Sequence, residues 1–242
     1  MFGLLRGHCE GANVFDGFAG TGAIGLEAVS RGATSCVLVE KDRDAAEMLR
    51  QNIENLGVTD RCELVIGDAL GAGALARAPR PLTLAFLDPP YALVREPVGW
   101  MRVKAQLQKL IEMLTDDGFA VVRTPWPFTL RNADEAATAE PAPSRKKLNK
   151  RKPRVGEEKW TMERAEWERW TNKDAKTADP EPDSHDMPAK PCVEAPGTPA
   201  DMGIPGATGP ETHVYHATAV HLYQKQRAEI HKRNGEGDGG GV

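Results

Sequence analysis

From Asn13 to about Pro127, short apolar runs alternate with stretches whose apolar residues recur at helical spacing. NVFD, Asn13 to Asp16, leads into a glycine-rich turn and a helical stretch from Gly22 to Arg31. CVLVE, Cys36 to Glu40, predicts a second strand, and Ala45, Leu49 and Ile53 share one face of a helix from Asp42 to Leu56 that Gly57 stops. ELVIGDA reads as a third strand, LAFLD as a fourth and GFAVVR, Gly118 to Arg123, as a fifth. Before the fifth, Val103 to Leu114 forms a long helix with Leu107, Leu110, Ile111 and Leu114 on one face. Strands and helices alternating in this way predict βαβ units and an α/β fold built on a mostly parallel, doubly wound sheet.

From Asn132 to Pro210 the aliphatic pattern gives way to proline, alanine and charged residues. That composition predicts a largely disordered insertion, with one helix around Glu157 to Trp170 whose Trp160, Trp167 and Trp170 would form a docking stripe. THVYHATAVHLY, Thr212 to Tyr223, then predicts a C-terminal antiparallel strand or hairpin, and GEGDGGGV a flexible tail. The expected organisation is a core at 1–131, the insertion at 132–210, closing strands at 211–225 and a tail at 226–242.

Composition narrows the function classes. The 242 residues carry a net charge of −4, so any attraction to nucleic-acid phosphate must be local. Cys9, Cys36, Cys62 and Cys192 form no CxxC pair, which favours reduced thiols in a cytoplasmic protein over a disulfide framework or a zinc site. No apolar run approaches the ~20 residues a membrane span needs, and Met1 to Gly11 lacks a signal-peptide pattern. We expect no membrane, no metal and a monomer. His213, His216 and His221 alternate along a strand rather than converging.

Two turns carry the candidate chemistry. In FDGFAGTGAIG, Phe15 to Gly25, the glycines let backbone amides approach a ligand at a helix start, and Gly20, Gly22 and Gly25 satisfy GxGxxG. Glu40 ends the next strand, where an acid can accept both hydroxyls of a ribose; this serves a dinucleotide or S-adenosylmethionine equally. Asp16 sits where a pyrophosphate would be repelled, and Asp68 could receive an adenine amino group or simply cap a helix. Three acids at 16, 40 and 68 suit a cationic adenosine ligand better than a dianion.

The second turn follows LAFL. Asp88, Pro89, Pro90 and Tyr91 place a carboxylate, free carbonyls and an aromatic face on a stiff support at a strand's carboxyl end. Such a turn suits a flat amino-bearing ring such as a nucleobase, although an Asp cap with two punctuating prolines is the commoner meaning of DPP alone.

FDGFAGTGAIGLEAVSRGA, VLVEKD, NIENLG, GDAL and FLDPPY, in this order and spacing, resemble the bacterial 16S ribosomal-RNA guanine-N2 methyltransferases of the RsmD type. The likeness runs from Phe2 to about Thr124 and resumes at Tyr215 to Tyr223. It implies a Rossmann-like S-adenosylmethionine-dependent methyltransferase fold and a guanine in small-subunit ribosomal RNA, or in an assembly particle of that subunit, as acceptor. By position, Asp16, Gly17, Gly20 and Gly22 would hold the methionine part, Glu40 the ribose, and Asp68 with Ala69 the adenine, with Phe18 and Lys41 also binding the cofactor. Asp88, Pro89, Pro90 and Tyr91 match the amino-methylating motif, with the base flipped out, stacked on Tyr91 and hydrogen-bonded to Asp88 and the Pro89 carbonyl.

The chain departs from that family in three places. A basic segment usual before the point matching Phe2 is missing, which implies a start upstream of Met1 or a site lacking part of its cover. His216 and Ala217 replace the usual glycine and aspartate, and the long insertion is atypical. Within it Arg145, Lys146, Lys147, Lys150, Arg151, Lys152 and Arg154 form a run without an acid, either a solvated linker or a phosphate-binding arm. A truncated relative that only binds RNA and an NAD-dependent oxidoreductase are the alternatives.

Overall fold

The computed structural model describes residues 1–131 and 198–227. The Glu157 to Trp170 helix, its tryptophans and the basic run lie outside the described residues.

Four parallel units build the first half of the sheet. β1 (Asn13–Asp16) leads to α1 (Ala23–Ser30), β2 (Ser35–Glu40) to α2 (Arg43–Asn55), and β3 (Cys62–Ile66) to the short α3 (Ala72–Arg77). β4 (Leu82–Leu87) then runs into α4 (Tyr91–Arg95) and α5 (Pro97–Met113). β5 (Leu114–Pro125) completes the parallel set, and a two-residue strand, β6 (Thr129–Leu130), pairs with β7 (Thr198–Pro199). β8 (Ala207–Tyr215) and β9 (Thr218–Lys225) form a hairpin. The seven-stranded order is β3-β2-β1-β4-β5-β9-β8, parallel except for β9 and β8. This is a Rossmann-like, mostly parallel α/β sheet closed by an antiparallel hairpin.

Strand alternation sorts side chains into two cores, one on each face. Val14, Cys36, Leu38, Leu84, Phe86 and Val121 face α1, α2 and the amino-terminal segment. Phe15, Val37, Val39, Ala85, Leu87 and Val122 face α3, α4 and α5. Phe2 packs its ring 5.8 Å from that of Phe86, so residues ahead of β1 cover the first core. Cys9, Cys36 and Cys62 are free thiols, each pushed up in pKa chiefly by burial. No helix among the described residues is long and apolar enough to cross a membrane.

Several boundaries differ from the sequence pattern. α2 starts as expected, because the Asp42 carboxylate accepts from the Asp44 and Ala45 amides. α5 begins at Pro97, six residues before the expected Val103, because proline at its first turn has no amide to leave unpaired and Trp100 enters the core. Leu114, expected to end that helix, instead opens β5 and pairs with Leu82. The closing structure also reaches further back than 211: Thr198 and Pro199 pair with β6, and Ile204 is buried in the core. At the hairpin tip His216 adopts φ 54, the left-handed conformation that the glycine of the related pattern would take freely.

Candidate active site

The chain reverses direction across the sheet between β1 and β4, the crevice where open α/β sheets bind ligands. Both motif turns meet there. The Gly17 amide donates to the Phe86 carbonyl at 2.8 Å, tying the glycine turn to the end of β4. A Cβ at Gly17 would lie 2.5 Å from Leu87 Cδ2, so the two turns approach at glycine distance. Gly20 donates its amide to Glu40 Oε2 at 2.8 Å, and Glu40 Oε1 accepts from the Asp42 amide at 2.7 Å. One carboxylate thus joins the glycine turn to the end of β2 and keeps about half of its roughly four acceptor positions for a ligand.

Asp16 has a different place from the one its motif suggests. It shares strand parity with Val14, so its side chain points toward α1, and it is fully buried. Its Oδ2 accepts from the Gly25 amide at 2.9 Å, a cap on α1 supplied from β1 because Gly22, the residue before the helix, has no side chain. Burial, opposed by the Gly25 and Phe18 amides and reinforced by the negative charges of Asp88 and Glu40, pushes its carboxyl up to about 7. Asp16 therefore shapes the turn from beneath and lies outside the cavity lining.

The Asp88–Tyr91 turn is held at both ends. Asp88 pairs with Arg123 Nη1 at 3.2 Å, and burial raises its carboxyl pKa against the pull of that guanidinium. Pro89 is buried and Pro90 exposed. The Tyr91 hydroxyl lies 2.7 Å from Thr218 Oγ1, across 127 residues of sequence.

At the far end, Asp68 Oδ1 accepts from the Leu70 amide and Oδ2 pairs with Arg102 at 3.0 Å, and these bonds lower its pKa. The Ala69 carbonyl accepts from the buried Gln106 side chain at 2.8 Å, so α5 sets the backbone that follows Asp68.

One cavity of about 720 Å³ runs along these elements, within the range of small-molecule and cofactor sites. Gly17, Phe18, Gly20, Glu40, Lys41, Asp68, Ala69, Asp88 and Pro90 line it; Gly22, Pro89 and Tyr91, like Asp16, do not. Its charged lining is acidic on balance, with Glu40, Asp42, Asp68 and Asp88 against Lys41 and Arg102. The chemistry of this donor set, carboxylates and amides around glycine-sized openings, fits a cationic adenosine ligand. Val39, Leu93 and Arg102 also line the cavity, and Arg123 and Thr218 brace it; the sequence reading missed all five. Only Arg123 left a signal, as the charge that ends an apolar strand. Of the three histidines, His213 pairs with Glu211, while His221 is buried between Thr124 and Thr212.

The family described as conserved hypothetical protein 95 matches residues 1–139. A Bacillus subtilis (strain 168) protein named "Putative rRNA methyltransferase YlbH" is 34% identical over 124 residues, covering 50% of this chain and 64% of the relative. The Escherichia coli (strain K12) protein named ribosomal RNA small subunit methyltransferase D is 32% identical over 134 residues, covering 52% and 65%. The chain thus spans less than two thirds of the length of either relative. A Streptococcus pyogenes structure described as a conserved hypothetical protein superposes with a TM-score of 0.48 at 20% identity, covering 89% of this chain and 88% of that one.

Proposed function

The chain belongs to the conserved hypothetical protein 95 family, and from that membership and its geometry we propose that it is an S-adenosylmethionine-dependent ribosomal-RNA methyltransferase, acting on the exocyclic N2 amine of a guanine in small-subunit (16S) RNA. The observation that carries this reading is a single cavity lined both by the glycine turn after β1 and by the Asp88–Pro90 turn after β4. The names of the Bacillus and Escherichia relatives support the RNA substrate.

In this reading Gly17, Phe18 and Gly20 hold the methionine end, Glu40 and Lys41 the ribose, and Asp68 with Ala69 the adenine. Bound there, S-adenosylmethionine supplies a methyl carbon on a sulfonium, whose carbon–sulfur bond breaks, leaving its electron pair on sulfur, as the acceptor nitrogen bonds to the carbon. The protein's part is positioning. Asp88 and the Pro89 carbonyl accept the two N–H bonds of the guanine amine, which turns the nitrogen lone pair out of the ring's conjugation and toward the methyl group. Tyr91 stacks on the flipped base. The methylated nitrogen sheds one proton, and we assign the Asp88 carboxylate, whose affinity for a proton burial raises, as its acceptor.

The test is methyl-label transfer to small-subunit particles lacking the modification, with calorimetry against S-adenosylmethionine and NAD. We expect label in the RNA, binding of the methyl donor alone, and a loss of about 10²-fold or more for Asp88→Ala. Binding of the donor without any transfer would identify an inactive RNA-binding relative. Binding of NAD instead would overturn the reading.

A further inference from the structure

The closing hairpin reaches the candidate site through its geometry. β9 runs antiparallel to β5, so its first residue, Thr218, lies at the carboxyl edge of the parallel strands, opposite Pro125. Arg123 pairs across from Val220 two positions further in. Cross-strand partners share a face and alternate residues along a strand return to it, so Arg123 and Thr218 project on the same side of the β5–β9 seam. That is the side of Val121 and Val220. From there Arg123 reaches Asp88 at 3.2 Å and Thr218 reaches Tyr91 at 2.7 Å.

Resting on the methyltransfer reading, we propose that the β5–β9 seam is the acceptor half's clamp: Arg123 and Thr218 are positioning residues that fix the first and last residues of the Asp88–Tyr91 turn. The two prolines stiffen the middle of this turn but leave both end side chains free to rotate. A tyrosine anchored only through its backbone swings about χ1, and a second anchor at the hydroxyl sets the plane on which a base can stack. A carboxylate paired with a guanidinium likewise keeps one orientation in which to accept N–H bonds. The other face of the seam explains why this clamp can hold. His221 Nε2 meets Thr124 Oγ1 at 2.8 Å and its Nδ1 meets Thr212 Oγ1 at 2.9 Å, fastening β5, β9 and β8 together.

The test uses the full chain in two ways. The protein has three tyrosines, Tyr91, Tyr215 and Tyr223, so 3-fluorotyrosine labelling gives three fluorine resonances, with Tyr91 assigned by Tyr91→Phe. Thr218→Val should shift the Tyr91 resonance and leave that of buried Tyr223, and Thr218→Ser should restore it. In methyl transfer, Thr218→Val and Arg123→Gln should each lower kcat about five- to tenfold, the worth of one hydrogen bond, with the affinity for S-adenosylmethionine unchanged. Thr218→Ser should recover most of the rate. Tyr91→Phe with Thr218→Val should be no slower than the slower single variant, because both remove one contact.

An unmoved Tyr91 resonance overturns the clamp. So does full transfer by Thr218→Val, or a double variant whose losses multiply. Wild-type protein that transfers no methyl group overturns the methyltransfer reading and with it the seam's part in catalysis, while the resonance still decides whether the seam holds the turn.

Discussion

Asp16→Asn separates a buried cap from a ligand anchor. In the folded chain the carboxyl is raised from 3.8 to about 7, so between those values the native state holds a proton that the unfolded chain has released. The sign follows: this group's stabilisation is fully present below 3.8 and is lost as pH rises through 7. One pKa step is worth about 1.4 kcal/mol, so the loss across the window approaches about 4 kcal/mol, large against the roughly 5–15 kcal/mol that holds a domain together. Asparagine keeps an oxygen to accept from the Gly25 amide and does not titrate. Stability relative to wild type should therefore rise by several kcal/mol between about pH 4 and about pH 8, read from urea denaturation at intervals across that range with the fluorescence of buried Trp100 as probe. A difference between the two proteins that stays constant with pH would mean that Asp16 is ionised throughout, and the burial argument would fail.

Two further substitutions probe the same architecture. His221 is lowered from 6.5 to about 4 by burial, so it contributes stability that is present above 6.5 and lost as pH falls toward 4, about 3 kcal/mol in all. His221→Gln should remove up to about 1.4 kcal/mol per pH unit from the stability slope in that window, and an unchanged slope in denaturation at about pH 6.5, 5.5 and 4.5 would refute it. At Gly25 a Cβ would meet Leu38 Cδ2 at 2.6 Å and Cys36 Sγ at 2.9 Å. Overpacking of this kind costs about 1–3 kcal/mol, of which helix propensity returns about 1 kcal/mol, so Gly25→Ala should melt several degrees lower. A melting temperature equal to or above wild type would show that α1 can back away from β2.

What was legible in the sequence follows from which interactions are local. The alternation of apolar runs and helical faces depends on neighbours a few residues apart, and it placed β1, β2, β4, α1 and α2 within a residue or two. Residues ending strands at the carboxyl edge, Glu40 and Asp88, were equally readable, since a break in an apolar run is visible in one dimension. The supports were not. Arg123 and Thr218 act through the pairing of β5 with β9, two strands remote in sequence, and no local pattern encodes which residue of a distant strand will stand opposite Pro125. Gly22 and Gly25 carried a third kind of ambiguity: GxGxxG fits any ligand with an anion or a ribose, but here Gly25 is small because α1 lies against Leu38 and Cys36.

Asp16 shows where a motif and a register part company. Its neighbours in sequence, Gly17 and Phe18, line the cavity, which invites the same role for the acid. Strand period two, however, binds Asp16 to the direction of Val14, and Val14 packs toward α1. One carboxylate oxygen is thus committed to the Gly25 amide of α1 before any ligand is considered. The consequence reaches beyond this residue, because Asp16 and His221 titrate with opposite sign over nearly the same window, 3.8 to about 7 against about 4 to 6.5. As pH falls, the cap under the glycine turn gains what the clasp behind the acceptor turn loses. Stability in the wild type should consequently change little from these two groups between about pH 7 and about pH 4, while each single variant exposes the other's slope. Asp16→Asn alone should gain stability as pH rises across this window and His221→Gln alone should lose it, with the double variant as flat as wild type; a normally titrating Asp16 or a solvent-facing His221 would remove one of these opposite slopes.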